Sequence, residues 1–433
     1  MAPRERNPSG SPVSVWETMI RPLRRLPPWI ALSLVLGCDA SAETGSVAET
    51  GRTVPIPQIA GDAARGLALV REFECNRCHE GTGLASAELT KQCVGCHQAI
   101  RAGTYDAPAE SLARWRGRIT SLLDVPSLSA TGARLRRDWV VRFLLDPYDL
   151  RPHMTATMPR LRLTESQARD IAAHLVPNPP RSAVEPPASD LQEGRRRFEQ
   201  RGCPTCHAFS GAGPLATSSL AAEIDIDPEA MARGVMLAPD LRFTRERMLP
   251  DAIVPWLLAP TVIQADTAMP RIPLTPDEAA SIARFIVHVP LAPSVVPDPP
   301  ARLPLLDRPV AFVEVSERTF RRLCWHCHSD PDYALGDGGP GNTGGLGFPG
   351  RGVDLAAYQG VSSGYLDEEG HRRSLFREGP GGVPRLVGAL LARQSEEAGR
   401  PVPGIRGMPL GLPSIPPEEI QLVETWIAQG RPE

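Results

Sequence analysis

The pentapeptide Cys-x-x-Cys-His occurs four times in this chain. The copies are Cys75-Asn76-Arg77-Cys78-His79, Cys93-Val94-Gly95-Cys96-His97, Cys203-Pro204-Thr205-Cys206-His207 and Cys324-Trp325-His326-Cys327-His328. Together they take eight of the nine cysteines. On a helical turn, residues i and i+3 share a face, so the two thiols of each copy stand together and the next imidazole leans the same way. A chain patterned like this must fold around four small nodes, each able to grip something with two sulfurs and one ring nitrogen.

That grip is the attachment signature of c-type haem, in which each thiol adds to one vinyl group and the His becomes the proximal iron ligand. Zinc is the rival. A Cys-x-x-Cys pair needs a second pair or a Cys/His partner at ligand spacing, and a His directly after the second Cys is not a zinc spacing. Four haem c groups are therefore expected, held by Cys75, Cys78, Cys93, Cys96, Cys203, Cys206, Cys324 and Cys327, with His79, His97, His207 and His328 on the iron.

The ninth cysteine, Cys38, ends a different pattern. Arg21, Arg24 and Arg25 precede an apolar run, Trp29 to Leu36, that is too short to span a bilayer. Val35-Leu36-Gly37-Cys38 then resembles a bacterial lipobox, which implies lipidation at Cys38. Residues 1–38 read as a signal peptide, with Met19 as the true start. The expected address is extracytoplasmic, on the periplasmic side, with a lipid anchor in a bacterial membrane. Export agrees with haem, because unattached cysteines in an oxidising compartment pair as disulfides.

Formal net charge is −3 over 433 residues, so nothing suggests nucleic acid as a partner. Lys91 is the single lysine; every other basic residue is Arg, whose planar fork suits haem propionates. Aromatics are only 5%, so protein side chains alone make thin cores.

Residues 39–60 are small and polar and read as a flexible tether. Two proline-rich stretches, 176–187 and 289–304, read as linkers. They leave three segments: 61–178 with two haem motifs, 189–290 with one, and 309–433 with one. The segments repeat one another. Val125-Pro126 through Asp146-Pro147 matches Ala238-Pro239 through Ala259-Pro260 at constant offset, and Met158-Pro159 is followed by a helix as Met269-Pro270 is. Thr164 with Gln167 and Thr275 with Glu278 predict capping boxes at the start of those helices. The third segment is more divergent but keeps Met408-Pro409 and an apolar-faced helix after Pro417. Opening helices are expected at 61–74, 191–201 and 316–323.

A helix, the haem motif, a loop, Met-Pro and a closing helix resemble class I cytochrome c. The resemblance implies an all-α fold of three tandem cytochrome c-like domains joined by Pro-rich linkers. It also implies that Met158, Met269 and Met408 are distal iron ligands, which favour ferrous iron and raise the potential. Four haems and three such Met leave one iron over. The separation from His97 to Met158 nearly equals that from His207 to Met269 and favours pairing Met158 with His97. The helix before Cys75 argues instead for His79. For the remaining haem, His153 is the nearest candidate and Met154 its rival. His174 and His288 read as structural and His326 as a spacer inside its motif. The glycine-rich run 336–352 lacks the end of a phosphate loop and reads as a loop at a haem edge.

The function expected is one-electron transfer between periplasmic or membrane redox partners, among them a membrane-bound dehydrogenase or oxidase. The alternative is a haem enzyme, peroxidase-like or a small-molecule reductase, with one open-coordinate iron.

Overall fold

The computed structural model describes residues 51–148, 150–154, 157–218, 224, 226–329 and 341–433, all within one compact unit, Glu49–Glu433. Cys38 and the signal-peptide pattern lie outside the described residues, as do 39–50 of the expected tether. The described chain is mostly helical, with three short two-stranded sheets. None of its helices is long and apolar enough to cross a membrane.

Each segment sets an opening helix against a closing one. Ala63–Glu72 crosses Glu165–Leu175, and Leu191–Gln200 crosses Pro276–His288. Both crossings are close because the opening helix presents a glycine. A Cβ at Gly66 would come within 2.0 Å of the Asp170 carbonyl oxygen, and one at Gly194 within 2.2 Å of that of Ser281. Around these contacts lie Val70, Phe73, Ile171 and Ala172 in the first segment, and Phe198, Phe209, Ile282 and Phe285 in the second.

The closing helices start where the sequence predicts. Thr164 accepts from the Gln167 N–H and Thr275 from the Glu278 N–H, with the reciprocal side-chain bonds present in both. Thr275→Ala is expected to cost about 1 kcal/mol, read as a lower midpoint in chemical denaturation with unchanged slope. The third closing helix, Pro417–Ala428, has no side-chain cap; Glu418 and Glu419 lie in its first turn, where carboxylates oppose the positive end of the helix dipole. Its partner is Phe312–Val315, continuing as a wide-turned helix over Ser316–Cys324. That helix begins four residues earlier than expected and runs straight into the fourth motif.

The first two segments share one continuous apolar core, whereas the third has its own around Trp426, Phe320 and Leu422. The junction between the first two has pseudo-two-fold character. Leu135 and Met248 face each other in an antiparallel bridge. Arg136 N–H donates to the Arg247 carbonyl at 2.9 Å, and Leu249 N–H to the Arg134 carbonyl at 2.8 Å. These are mutually exchanged contacts of corresponding residues, the pattern of an isologous interface.

The tether expectation needs correcting from residue 52 onward. Strand β1, Arg52–Pro55, pairs antiparallel with β2, Ser182–Glu185, which lies inside the first proline-rich stretch. Ile56 is then buried with Ala183, Leu249 and Ala252. Val54 and Ile56, set among Thr53, Pro55 and Pro57, make too short a pattern to stand out from a tether, and the partner of Arg52 is 133 residues away at Glu185. The second proline-rich stretch carries no regular structure between Val289 and Ala311.

Candidate functional site

In three copies of the motif the chain closes a tight turn through the first cysteine. His79 N–H reaches the Cys75 carbonyl at 2.9 Å, His207 that of Cys203 at 3.0 Å and His328 that of Cys324 at 3.0 Å. The first and third copies are reached through a left-handed residue, Glu74 at φ 49° and Gly202 at φ 71°, which turns the chain sharply off the opening helix. The second copy differs: Cys93, Cys96 and His97 sit on a full α-helix, Cys93–Ala102.

Each of three imidazoles is held by its Nδ1. His79 donates to the Pro126 carbonyl at 2.8 Å, His207 to that of Pro239 at 2.9 Å and His97 to that of Ser121 at 3.0 Å. A carbonyl only accepts, so Nδ1 carries the proton and Nε2 keeps its lone pair. Burial lowers the pKa of all three, so the rings are neutral at neutral pH. His328 is pushed to about 4, first by burial. Its ring packs against Gly341, where a Cβ would stand 2.2 Å from Nδ1, and Nδ1 makes no well-formed hydrogen bond among the described residues.

Pro126 and Pro239 occupy matching places in the internal repeat, so His79, not His97, is the counterpart of His207. This adds to the case for pairing Met158 with His79, one of the two alternatives the sequence leaves open. The loop between His79 and Pro126 spans 47 residues, against 32 between His207 and Pro239. The longer loop contains the helices Cys93–Ala102 and Ala109–Arg116, so the second motif sits on an insertion. The nearly equal separations to Met158 and Met269 are a coincidence of the insertion's length.

The motif cysteines are half-buried. Burial pushes Cys75 up to about 11, and Cys203 and Cys324 up to about 12. Cys78 is raised further, first by its hydrogen bond with Cys93 and then by burial, so the first two motifs meet thiol to thiol. Met158 and Met269, like Cys75 and Cys203, pack against the shared core, and Met408, like Cys324, packs against the third core. Trp256 Nε1–H points at Met269 Sδ, 3.1 Å away. Its counterpart in the first segment is Phe143, which has no donor.

Two arginines at corresponding repeat positions, Arg134 and Arg247, lie at the junction of the first two segments. The Arg134 guanidinium crosses from the first segment to lie 5.0 Å from the centre of the Trp256 ring, and it also bonds the Gln264 side chain. The Nε of each arginine is buried with no hydrogen-bond partner. Burial, with repulsion from Arg151, lowers both to about 10; Arg134 adds to the repulsion at Arg247. Such a cluster is complementary to anions.

Other histidines sort clearly. His174 Nε2 bonds the Thr82 carbonyl at 2.8 Å and His288 Nε2 that of Pro186 at 2.5 Å, in keeping with structural roles. His153 is exposed, and Met154 is half-buried in the same turn. The His326 ring centre lies 6.5 Å from that of His97, with the planes at 46°. Reading His326 as a spacer missed this, because the sequence holds no sign that two motifs so far apart meet.

A tetrahedral metal does not suit these donors. Among the described residues, the metal-sized cluster is Asp367, Glu369 and His371, and it includes no cysteine. Two thiols beside a neutral imidazole with free Nε2, with a thioether within the same core, fit a flat iron macrocycle. No protein-family model, curated protein or solved structure matches the chain.

Proposed function

We propose that this chain is an exported tetrahaem c-type cytochrome, built of three class I-like domains, that carries single electrons between redox proteins. The observation that carries the reading is a repeated constellation. Cys75–His79 with the Pro126 carbonyl and Met158 recurs as Cys203–His207 with the Pro239 carbonyl and Met269.

Haem, when bound, supplies a one-electron iron couple. The chain's own residues do the rest. The cysteine pairs fix the group covalently, and the carbonyl bonds at His79, His97 and His207 hold each Nε2 in place while making the ring a better donor. Met158, Met269 and Met408 would supply thioether ligands to three of the irons, Met158 to the iron held by His79. Arg134 and Arg247 receive carboxylates at the junction of the first two segments. The surrounding buried side chains exclude water. Cys38 supplies the lipid anchor to a bacterial membrane, on its periplasmic side, and the partners are redox proteins, such as a membrane-bound dehydrogenase, rather than nucleic acid.

The test is haem stoichiometry by intact mass and pyridine haemochrome after expression in a host that matures c-type cytochromes. Four haems per chain are expected, falling to three in Cys203→Ala/Cys206→Ala. A well-folded product with bound zinc or disulfides, and no haem, overturns the reading.

A further inference from the structure

We propose that His326 is the sixth ligand of the iron bound by His97, so that one haem is held between imidazoles from two different Cys-x-x-Cys-His motifs. The proposal rests on the haem reading above and assigns the iron for which no Met-Pro remains.

The distance is the first argument. A metal bonded to two imidazole nitrogens at about 2 Å each, with each ring centre about 1 Å behind its nitrogen, separates the centres by about 6 Å. His97 and His326 stand at 6.5 Å. Stacked rings would be closer and parallel; these are tilted by 46°. The lone pair is the second argument. Nδ1 of His97 is committed to the Ser121 carbonyl, so Nε2 is the nitrogen left for a metal.

The third argument is that the two elements are docked. Arg118, just past the second helix of the insertion, donates to the Arg321 carbonyl at 3.1 Å, on the helix that leads into the fourth motif. Nearby, the Leu346 N–H donates to Glu74 Oε2 at 2.9 Å, fastening the third segment beside the first motif. The insertion therefore meets the third segment through more than the two rings.

His326 cannot serve its own motif. On the turn that carries Cys324 and Cys327 on one face and His328 beside them, the residue two after the first cysteine points about 200° away. It faces outward and is exposed, with the His97 ring of the insertion beside it. Exposure does not separate His326 from His153, since both are exposed; the ring contact with His97 does. His174 and His288 hold backbone carbonyls, His371 sits beside Asp367 at 3.7 Å on an exposed hairpin, and His153 is exposed in a loop of the first segment.

Two imidazoles lack the thioether that raises potential, so this iron has the lowest potential of the four. The ligand is two residues from His328, so the second and fourth haems are neighbours through the chain itself.

The test uses the full-length holoprotein with His326→Ala and His326→Met. Haem count comes first; fewer than four haems in the parent protein defeats the haem reading and is distinct from failure of this proposal. With four haems present, low-temperature EPR of the parent is expected to show all-low-spin iron, including one bis-imidazole signal. In His326→Ala that signal is lost, one iron in four becomes high-spin and binds carbon monoxide, and added imidazole restores it. In His326→Met the iron stays low-spin and the lowest midpoint potential rises, while the other three hold. A parent protein with one high-spin iron, or a four-haem His326→Ala with its bis-imidazole signal and lowest potential unchanged, overturns the proposal. The first of these outcomes returns the open-coordinate enzyme.

Discussion

Met269→Ala is expected to drop the potential of a single haem by a few tenths of a volt, well inside the about 0.8 V that axial ligands span. The expected agent is loss of the thioether, which stabilises ferrous iron against ferric. Spectropotentiometric titration checks this, together with loss of one Met-ligation charge-transfer band. The structure sharpens the expectation by setting Met269 apart from Met158. Trp256 Nε1–H lies 3.1 Å from Met269 Sδ, whereas the repeat counterpart of Trp256 in the first segment is Phe143, which has no donor. A sulfur that accepts a hydrogen bond gives less charge to iron, so the haem opposite His207 should start from the higher potential of the two. The drop in Met269→Ala should therefore exceed that in Met158→Ala. An unchanged titration with four haems in place would remove Met269 from the ligand set.

Trp426→Ala is expected to destabilise the third segment by about 3–5 kcal/mol, the cost of removing a large buried aromatic side chain. Trp426 is fully buried, and its ring centre lies 5.7 Å from Phe312, 6.4 Å from Phe320 and Tyr358, and 5.6 Å from Phe376. Its Nε1–H donates to the Pro432 carbonyl at 2.8 Å, a bond that truncation also removes. Aromatics are scarce in the chain as a whole, yet five meet here, so little else can fill the gap. Because this core is separate from the one shared by the first two segments, a separate early transition is expected in guanidinium titration, followed by tryptophan fluorescence. A single shared transition with an unshifted midpoint would contradict it.

What was legible in the sequence were features written in neighbouring residues. The motif turns, the capping boxes at Thr164 and Thr275, and the closing helices all follow from spacings of three or four residues, and the structure carries them where expected. What was hidden depends on pairs far apart in the chain. Nearly equal separations from His97 and His207 to the next Met-Pro looked like equivalence. Separation along a chain measures length, not position, and an insertion between His79 and Pro126 supplied the match. The Pro126 and Pro239 carbonyls were inside the detected repeat, and matching them to the histidines they hold was the available clue. Arg134 and Arg247 were likewise in register, but no sequence rule says that repeats fold face to face. His326 looked idle because the role proposed for it requires a partner, His97, that only the packed chain brings near.

The β1–β2 pairing has a consequence for the order of events as the chain is synthesised. Strand Arg52–Pro55 emerges early, but its partner Ser182–Glu185 follows more than a hundred residues later, and the Leu249 and Ala252 that bury Ile56 come later still. The front of the first segment is thus a latch that cannot shut until most of the second has been delivered. During that interval the cysteines at 75, 78, 93, 96, 203 and 206 emerge before the latch is closed. Maturation machinery acting on these thiols would meet them in a chain still held ajar by its own topology.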